Sequence, residues 1–117
     1  MKDIKAKHLL DLLRSNKGFT ATHKGTPINY ALGYIVSREG YETKIDANDI
    51  SKIEKTIKGY SELAKEQHAN IGAWLDGEHV YIDLSERIFD RALAFRYAAE
   101  RKQKAIYNCK TKQVEAV

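Results

Sequence analysis

The stretch that most constrains the fold is Ile71 to Ser85, where Ile-Gly-Ala-Trp-Leu and His-Val-Tyr-Ile-Asp-Leu-Ser flank the dipeptide Asp76-Gly77. Successive side chains of a strand point to opposite faces, and an Asp-Gly pair suits the tight primed turn that joins antiparallel strands. The pattern predicts a β-hairpin with Val80, Ile82 and Leu84 on one face and Tyr81, Asp83 and Ser85 on the other. One face then packs against a core and the other stays available.

The remaining elements arrange themselves around that hairpin. From Ile4 to Ser15, Ala6, Leu9, Leu10, Leu12 and Leu13 gather on one side of a helical wheel, and Asn16-Lys17-Gly18 reads as a stop. Phe19 to His23 alternates, Lys24 to Pro27 has turn chemistry, and Ile28 to Arg38 and Tyr41 to Ile45 read as strands around Glu39-Gly40. Asp46 is placed to cap a second helix whose stripe is Ile50, Ile53, Ile57, Tyr60 and Ala64. A third helix is expected from about Glu86 to Lys102, then a strand from Ala105 to Cys109, a polar turn at Lys110 to Lys112 and a short last strand. The expected fold is α+β: an antiparallel sheet of about six to seven strands, in hairpins and a meander, with three α-helices packed on it. At 117 residues a single domain is expected.

Charge is distributed unevenly. Residues 1 to 86 carry 12 basic and 13 acidic side chains and residues 87 to 117 carry 8 and 3, a balance of −1 against +5. A positive field confined to the last quarter favours phosphate-bearing partners and argues against a mimic of DNA, which needs an acidic surface. One cysteine, Cys109, excludes an intramolecular disulfide and a multi-thiolate zinc site, and reads as a buried inert thiol. His8, His23, His68 and His79 fall at no spacing that gathers two on one helical face, so no metal is expected, and no cofactor. Neither a Gly-rich phosphate loop nor a nucleophile elbow is present, and no catalytic residue is predicted. Asp76, Glu78, Asp83 and Glu86 cluster around the hairpin, where acids commonly sit on turns and exposed faces; acid–base work on nucleotides is the enzymatic alternative. The start, Met1 to Lys5, leads straight into an amphipathic segment with no signal-peptide or membrane-spanning stretch, and a cytoplasmic protein with no membrane partner is expected.

Candidate ligand residues come from the third helix and the strands. With a helix over Glu86 to Lys102, Ile88, Ala92, Phe95 and Ala99 form one flank of an apolar sector and Phe89, Leu93 and Tyr97 the other, with Arg96 between them. An arginine so placed snorkels to an edge, pairs with a carboxylate, or projects into a pocket that holds an anion. Arg87, Arg91, Arg101 and Lys102 form a basic face on the opposite side, read as solvated surface or as a phosphate footprint. Trp74 and Tyr81 lie on the hairpin's open face and suit stacking on a base, with Tyr30, Tyr34 and Tyr107 as further rings, while Arg38 is a possible second guanidinium. The predicted ligand-binding set is Arg96, Trp74, Tyr81, Arg38 and Arg101.

Three stretches, Gly33-Tyr34-Ile35-Val36-Ser37, Ile71 to Leu75 with Val80 to Ser85, and Asp90 to Gln103 leading to Ala105-Ile106, resemble small proteins of phages and other mobile elements. Small phage proteins of this size and fold are similar in style to the Thoeris anti-defence proteins, which act as sponges for immune signalling nucleotides. That resemblance implies sequestration of a cyclic or ADP-ribose-type nucleotide without turnover, in the host cytoplasm, by a homo-oligomer whose neighbouring chains share pockets. The alternatives are an inhibitor of a defence nuclease, anti-CRISPR-like, that contacts a host protein or its guide RNA, and a nucleic-acid-binding accessory protein.

Overall fold

A computed structural model describes residues 6 to 117; Ile4, the expected start of the first helix, and the Met1 to Lys5 segment lie outside the described residues. The elements run α1 (Ala6–Asn16), β1 (Gly18–Ala21), β2 (Tyr34–Asp46), α2 (Ile50–Gln67), β3 (Asn70–Asp76), β4 (His79–Ile88), α3 (Arg91–Glu100), β5 (Ala105–Asn108) and β6 (Gln113–Ala116). The strands form a six-stranded antiparallel sheet in the order β1-β3-β4-β2-β5-β6. This is the expected α+β class, with three helices among the described residues. Internal contacts divide the chain into two compact units interleaved in sequence, the first made of residues up to Ile28 with Glu42–Leu84 and the second of Asn29–Tyr41 with Ser85–Val117. No described helix is long and apolar enough to cross a membrane.

The first unit is built on the two amphipathic helices. Ala6, Leu9, Leu10 and Leu13 are the buried stripe of α1, and Lys17, at φ 63, turns the chain out of the helix into β1. Burying a leucine or isoleucine side chain is worth about 1.5–3 kcal/mol, so this stripe and Ile53, Ile57, Tyr60 and Ala64 of α2 supply much of the unit's stability. The α2 cap is Asp49, whose carboxylate accepts from the Lys52 N–H at 3.2 Å, and not Asp46. Asp46 ends β2 and accepts from Asn48 N–H at 2.8 Å, a local turn that delays the helix by three residues. The predicted hairpin is present, with its loop on Gly77-Glu78, one residue later than expected. Gly77 holds φ +58 at the first loop position, which a glycine takes without strain.

In the second unit two boundaries differ from expectation. The strand β4 continues through Glu86 and Ile88, and α3 starts only after Asp90, whose side chain accepts from Leu93 N–H at 2.8 Å. The strand runs on to a buried Ile88, and the cap, not the helical wheel, decides where the helix begins. The two strands expected on either side of Glu39-Gly40 are one, β2, and residues 28 to 33 stay outside it. Its buried positions are even before Gly40 (Val36) and odd after it (Ile45), and Gly40 sits at φ +85. A residue inserted at positive φ produces that change of parity, as in a β-bulge. Val36, Ile88, Ala94, Ala98 and Ile106 make the core, with Tyr34, Leu93, Phe95 and Tyr97 packed on it. β5 and β6 close as the expected terminal hairpin, pairing Ala105 with Ala116 and Asn108 with Gln113. Cys109 is buried, and burial pushes its thiol above the ordinary value against the opposing charges of Lys112 and Arg87.

Removing the α3 cap tests this boundary. Asp90→Ala is expected to lower unfolding free energy by about 1 kcal/mol, read from the urea midpoint, with Asp90→Ser restoring most of it.

Candidate functional site

The second unit brings together two of the five predicted ligand residues. Arg38 of β2 and Arg101, the residue that caps the C-terminal end of α3, both reach Glu86 of β4. Each guanidinium gives one N–H to a different carboxylate oxygen, Arg38 Nη2 to Oε2 and Arg101 Nη2 to Oε1, both at 2.8 Å. Burial alone would raise the Glu86 pKa; the hydrogen bonds from Arg101 and Arg38, with their positive charges, outweigh it and hold the carboxyl below its ordinary value. Arg101 also lies 5.1 Å from the centroid of Tyr97, and its buried Nη1 has no hydrogen-bond partner among the described residues. The cluster is two cations on one anion, a net positive charge held by partly buried side chains.

A second arrangement in the same unit was not assembled by the sequence reading. Arg87 of β4 is sandwiched between two rings, 3.9 Å from the centroid of Tyr30 and 4.3 Å from that of Phe89. Gly33, at φ +94, lets the backbone pass this arginine: a β-carbon there would stand 2.9 Å from Arg87 Cγ. Lys112 fixes the loop that carries Tyr30, donating to Asn29 Oδ1 and to the Tyr30 carbonyl, each at 2.8 Å. Beside the sandwich, Leu32, Gly33, Tyr34, Phe89, Asn108 and Lys110 line an open depression of about 270 Å³. Phe89 is 65% exposed at its rim. Arg91 extends the series, 4.6 Å from the Phe95 ring and paired with Glu115 at 2.7 Å. Hydrogen bonds from Asn108 and Arg91 hold the Glu115 carboxyl below its ordinary value.

Trp74 and Tyr81 meet in the first unit. The two-residue loop sets them opposite each other, and their rings stack at 4.6 Å with 17° between planes. Lys44 lies 5.9 Å from the Tyr81 centroid, and Trp74 is 45% exposed. Asp83 and Ser85, expected on an open face, are buried.

Arg96 is corrected most. It is not directed at a core but lies on the outside of α3, 68% exposed, 3.5 Å from Glu100 one turn on. The apolar sector that enclosed it depended on a helix starting at Glu86. Once Ile88 and Phe89 belong to the strand and its exit, only Ala94 and Ala98 are buried on α3 and Arg96 falls outside that face. The same shift takes Phe89 from an expected core flank to the surface. Asp90 itself was the available signal, since Asp is a preferred cap whose carboxylate accepts from the N–H three residues on. Among the described residues no three His, Cys, Asp or Glu side chains gather as a metal site. Comparison with family models, curated proteins and solved structures finds no match to the chain.

The depressed Glu86 pKa has a sign. Its stabilising contribution is fully present above the ordinary carboxylate value of about 4.3 and is lost as pH falls through the lower folded-state value. In urea titrations from pH 7 to pH 3, wild type is expected to lose stability faster than Glu86→Gln, so that the two curves converge at low pH; parallel curves would remove Glu86 from the acid response.

Proposed function

We propose that this chain binds a phosphate-bearing nucleotide through the basic and aromatic surface of its second unit and holds it without turnover. The observation that carries the reading is the Tyr30–Arg87–Phe89 stack, with its outer ring exposed at the rim of the depression. A base can stack on Phe89, whose other contact is a guanidinium, while the Lys110 ammonium at the depression and the positive balance of residues 87 to 117 favour the phosphates. Pinning of the Tyr30 loop by Lys112 and the close passage at Gly33 reduce the ordering cost of binding. In an infected host cell, a protein of this kind would act by sequestering a signalling nucleotide of the cyclic or ADP-ribose type.

A second reading, single-stranded nucleic acid, is favoured by one observation: Arg91 on Phe95 continues the series of arginine and ring pairs beyond the depression. Several consecutive pairs suit several consecutive bases. Salt separates the two, because an oligonucleotide that releases many counterions loses affinity steeply between low and physiological salt whereas a compact nucleotide loses little.

Calorimetric titration against mononucleotides, cyclic dinucleotides, cyclic ADP-ribose isomers and a short single strand of DNA tests both. One nucleotide class is expected to bind and to be recovered intact by mass spectrometry. Phe89→Ala is expected to weaken it about tenfold or more, since stacking on one ring is worth about 1–3 kcal/mol. Arg96→Ala, on the outer face of α3, is expected to leave affinity unchanged. Binding that ignores Phe89→Ala would overturn the assignment of this surface.

A further inference from the structure

The two edges of the sheet are treated differently. Beside β1 the chain turns back on itself: Ile28 N–H donates to the Thr20 carbonyl at 2.8 Å, Thr22 N–H to the Thr26 carbonyl at 2.9 Å, and Pro27 bridges Ala21. A short strand overlaid by a turn with a proline is a protected edge. At the other edge β6 runs Gln113-Val114-Glu115-Ala116, with no proline or lysine inside it and Val114 70% exposed.

The hydrogen-bond pattern identifies which groups of β6 face outward. Val117 N–H donates to the Lys104 carbonyl at 2.9 Å, one step beyond the Ala105–Ala116 pair. Hydrogen-bonded and non-hydrogen-bonded pairs alternate in an antiparallel ladder, so Glu115 with Ile106 and Gln113 with Asn108 are the next bonded pairs. The main-chain N–H and C=O of Val114 and Ala116 therefore point away from β5. The only charge within the strand, Glu115, is already taken by Arg91 Nη1 at 2.7 Å and Asn108 Nδ2 at 2.8 Å.

We infer that β6 is a self-pairing edge, at which a second copy of this chain adds its own β6 antiparallel across a two-fold axis. Two registers use the outward groups of Val114. Centred on Glu115, the pairing would oppose two glutamates, which repel. Centred on Val114, it sets Val114 against its counterpart in the other copy, exchanging two N–H to O=C bonds, and sets Gln113 against Glu115, where an amide can donate to a carboxylate. The second register is self-complementary, as a two-fold interface requires. It also covers the exposed Val114 side chain with its own copy.

Sedimentation equilibrium of the full chain is expected to show a species of twice the 13.3 kDa chain mass. Val114→Pro, which removes an outward N–H and no bond to β5, is expected to weaken the dimer about tenfold or more with an unchanged far-ultraviolet spectrum. Val114→Cys gives an independent reading of register. A bonded pair holds its Cα atoms about 5.5 Å apart, within disulfide range, so oxidation should yield a covalent dimer. Gln113→Cys, which faces residue 115 of the other copy, should not. Native Cys109, 1% exposed, does not compete. A monomer at every concentration, a dimer indifferent to Val114→Pro, or equal cross-linking at 113 and 114 would each overturn the inference.

Discussion

Glu86 organises the second unit. One carboxylate receives a guanidinium from the strand beside it and another from the end of the helix above, so three chain segments far apart in sequence are held at one point. Hydrogen bonds between ionised groups are about twice as strong as neutral ones, and these are only partly exposed. The cost of such a joint is that none of its members can be removed alone: without Glu86, two cations would face each other with nothing between them. Placing Arg101 at the C-terminal end of α3 adds a favourable interaction with the helix dipole, so the same residue closes the helix and anchors it.

Small residues make this joint possible. α3 turns only Ala94 and Ala98 fully inward, and short side chains let a helix lie close to the strands under it. The longer residues on its flanks, Leu93, Phe95 and Tyr97, cover the rim of the core. Arginines are then left to lie over rings, Arg91 on Phe95 and Arg87 between Tyr30 and Phe89, which gives the surface both charge and flat apolar area. A guanidinium fits this role better than an ammonium because it is planar and weakly hydrated.

Much of the fold was legible because its signals are local. The hairpin at Gly77, the stripes of the first two helices and the last pair of strands each follow from periodicity and turn chemistry within a few residues. That Trp74 and Tyr81 share a face was legible, but their pairing was not: a turn on Asp76-Gly77 sets Trp74 opposite His79, and the loop on Gly77-Glu78 sets it opposite Tyr81, where stacking closes one face of each ring. What the sequence concealed was phase. The spacing of the apolar residues between Ile88 and Phe95 satisfies a helical wheel as readily as a strand followed by a helix, and Asp90 marks the join. That single boundary moved Arg96 out of the interior and brought Phe89 to the surface. The Arg87 sandwich was illegible for a different reason: Tyr30 sits in a loop whose course depends on Gly33 and on Lys112, more than eighty residues away. The Gly40 parity change likewise made one strand read as two.

The chain holds one tryptophan, and it belongs to the hairpin of the first unit. Indole emission is therefore a one-sided signal in this protein. It reports the opening of the unit that carries Trp74 and its Tyr81 neighbour, while the arginine and ring surface of the other unit is seen only through tyrosine and phenylalanine. Melting followed at the indole and melting followed by backbone dichroism coincide if the two units unfold as one, and separate if either opens first. The placement of a single fluorophore thus makes the cooperativity between the units an optical quantity.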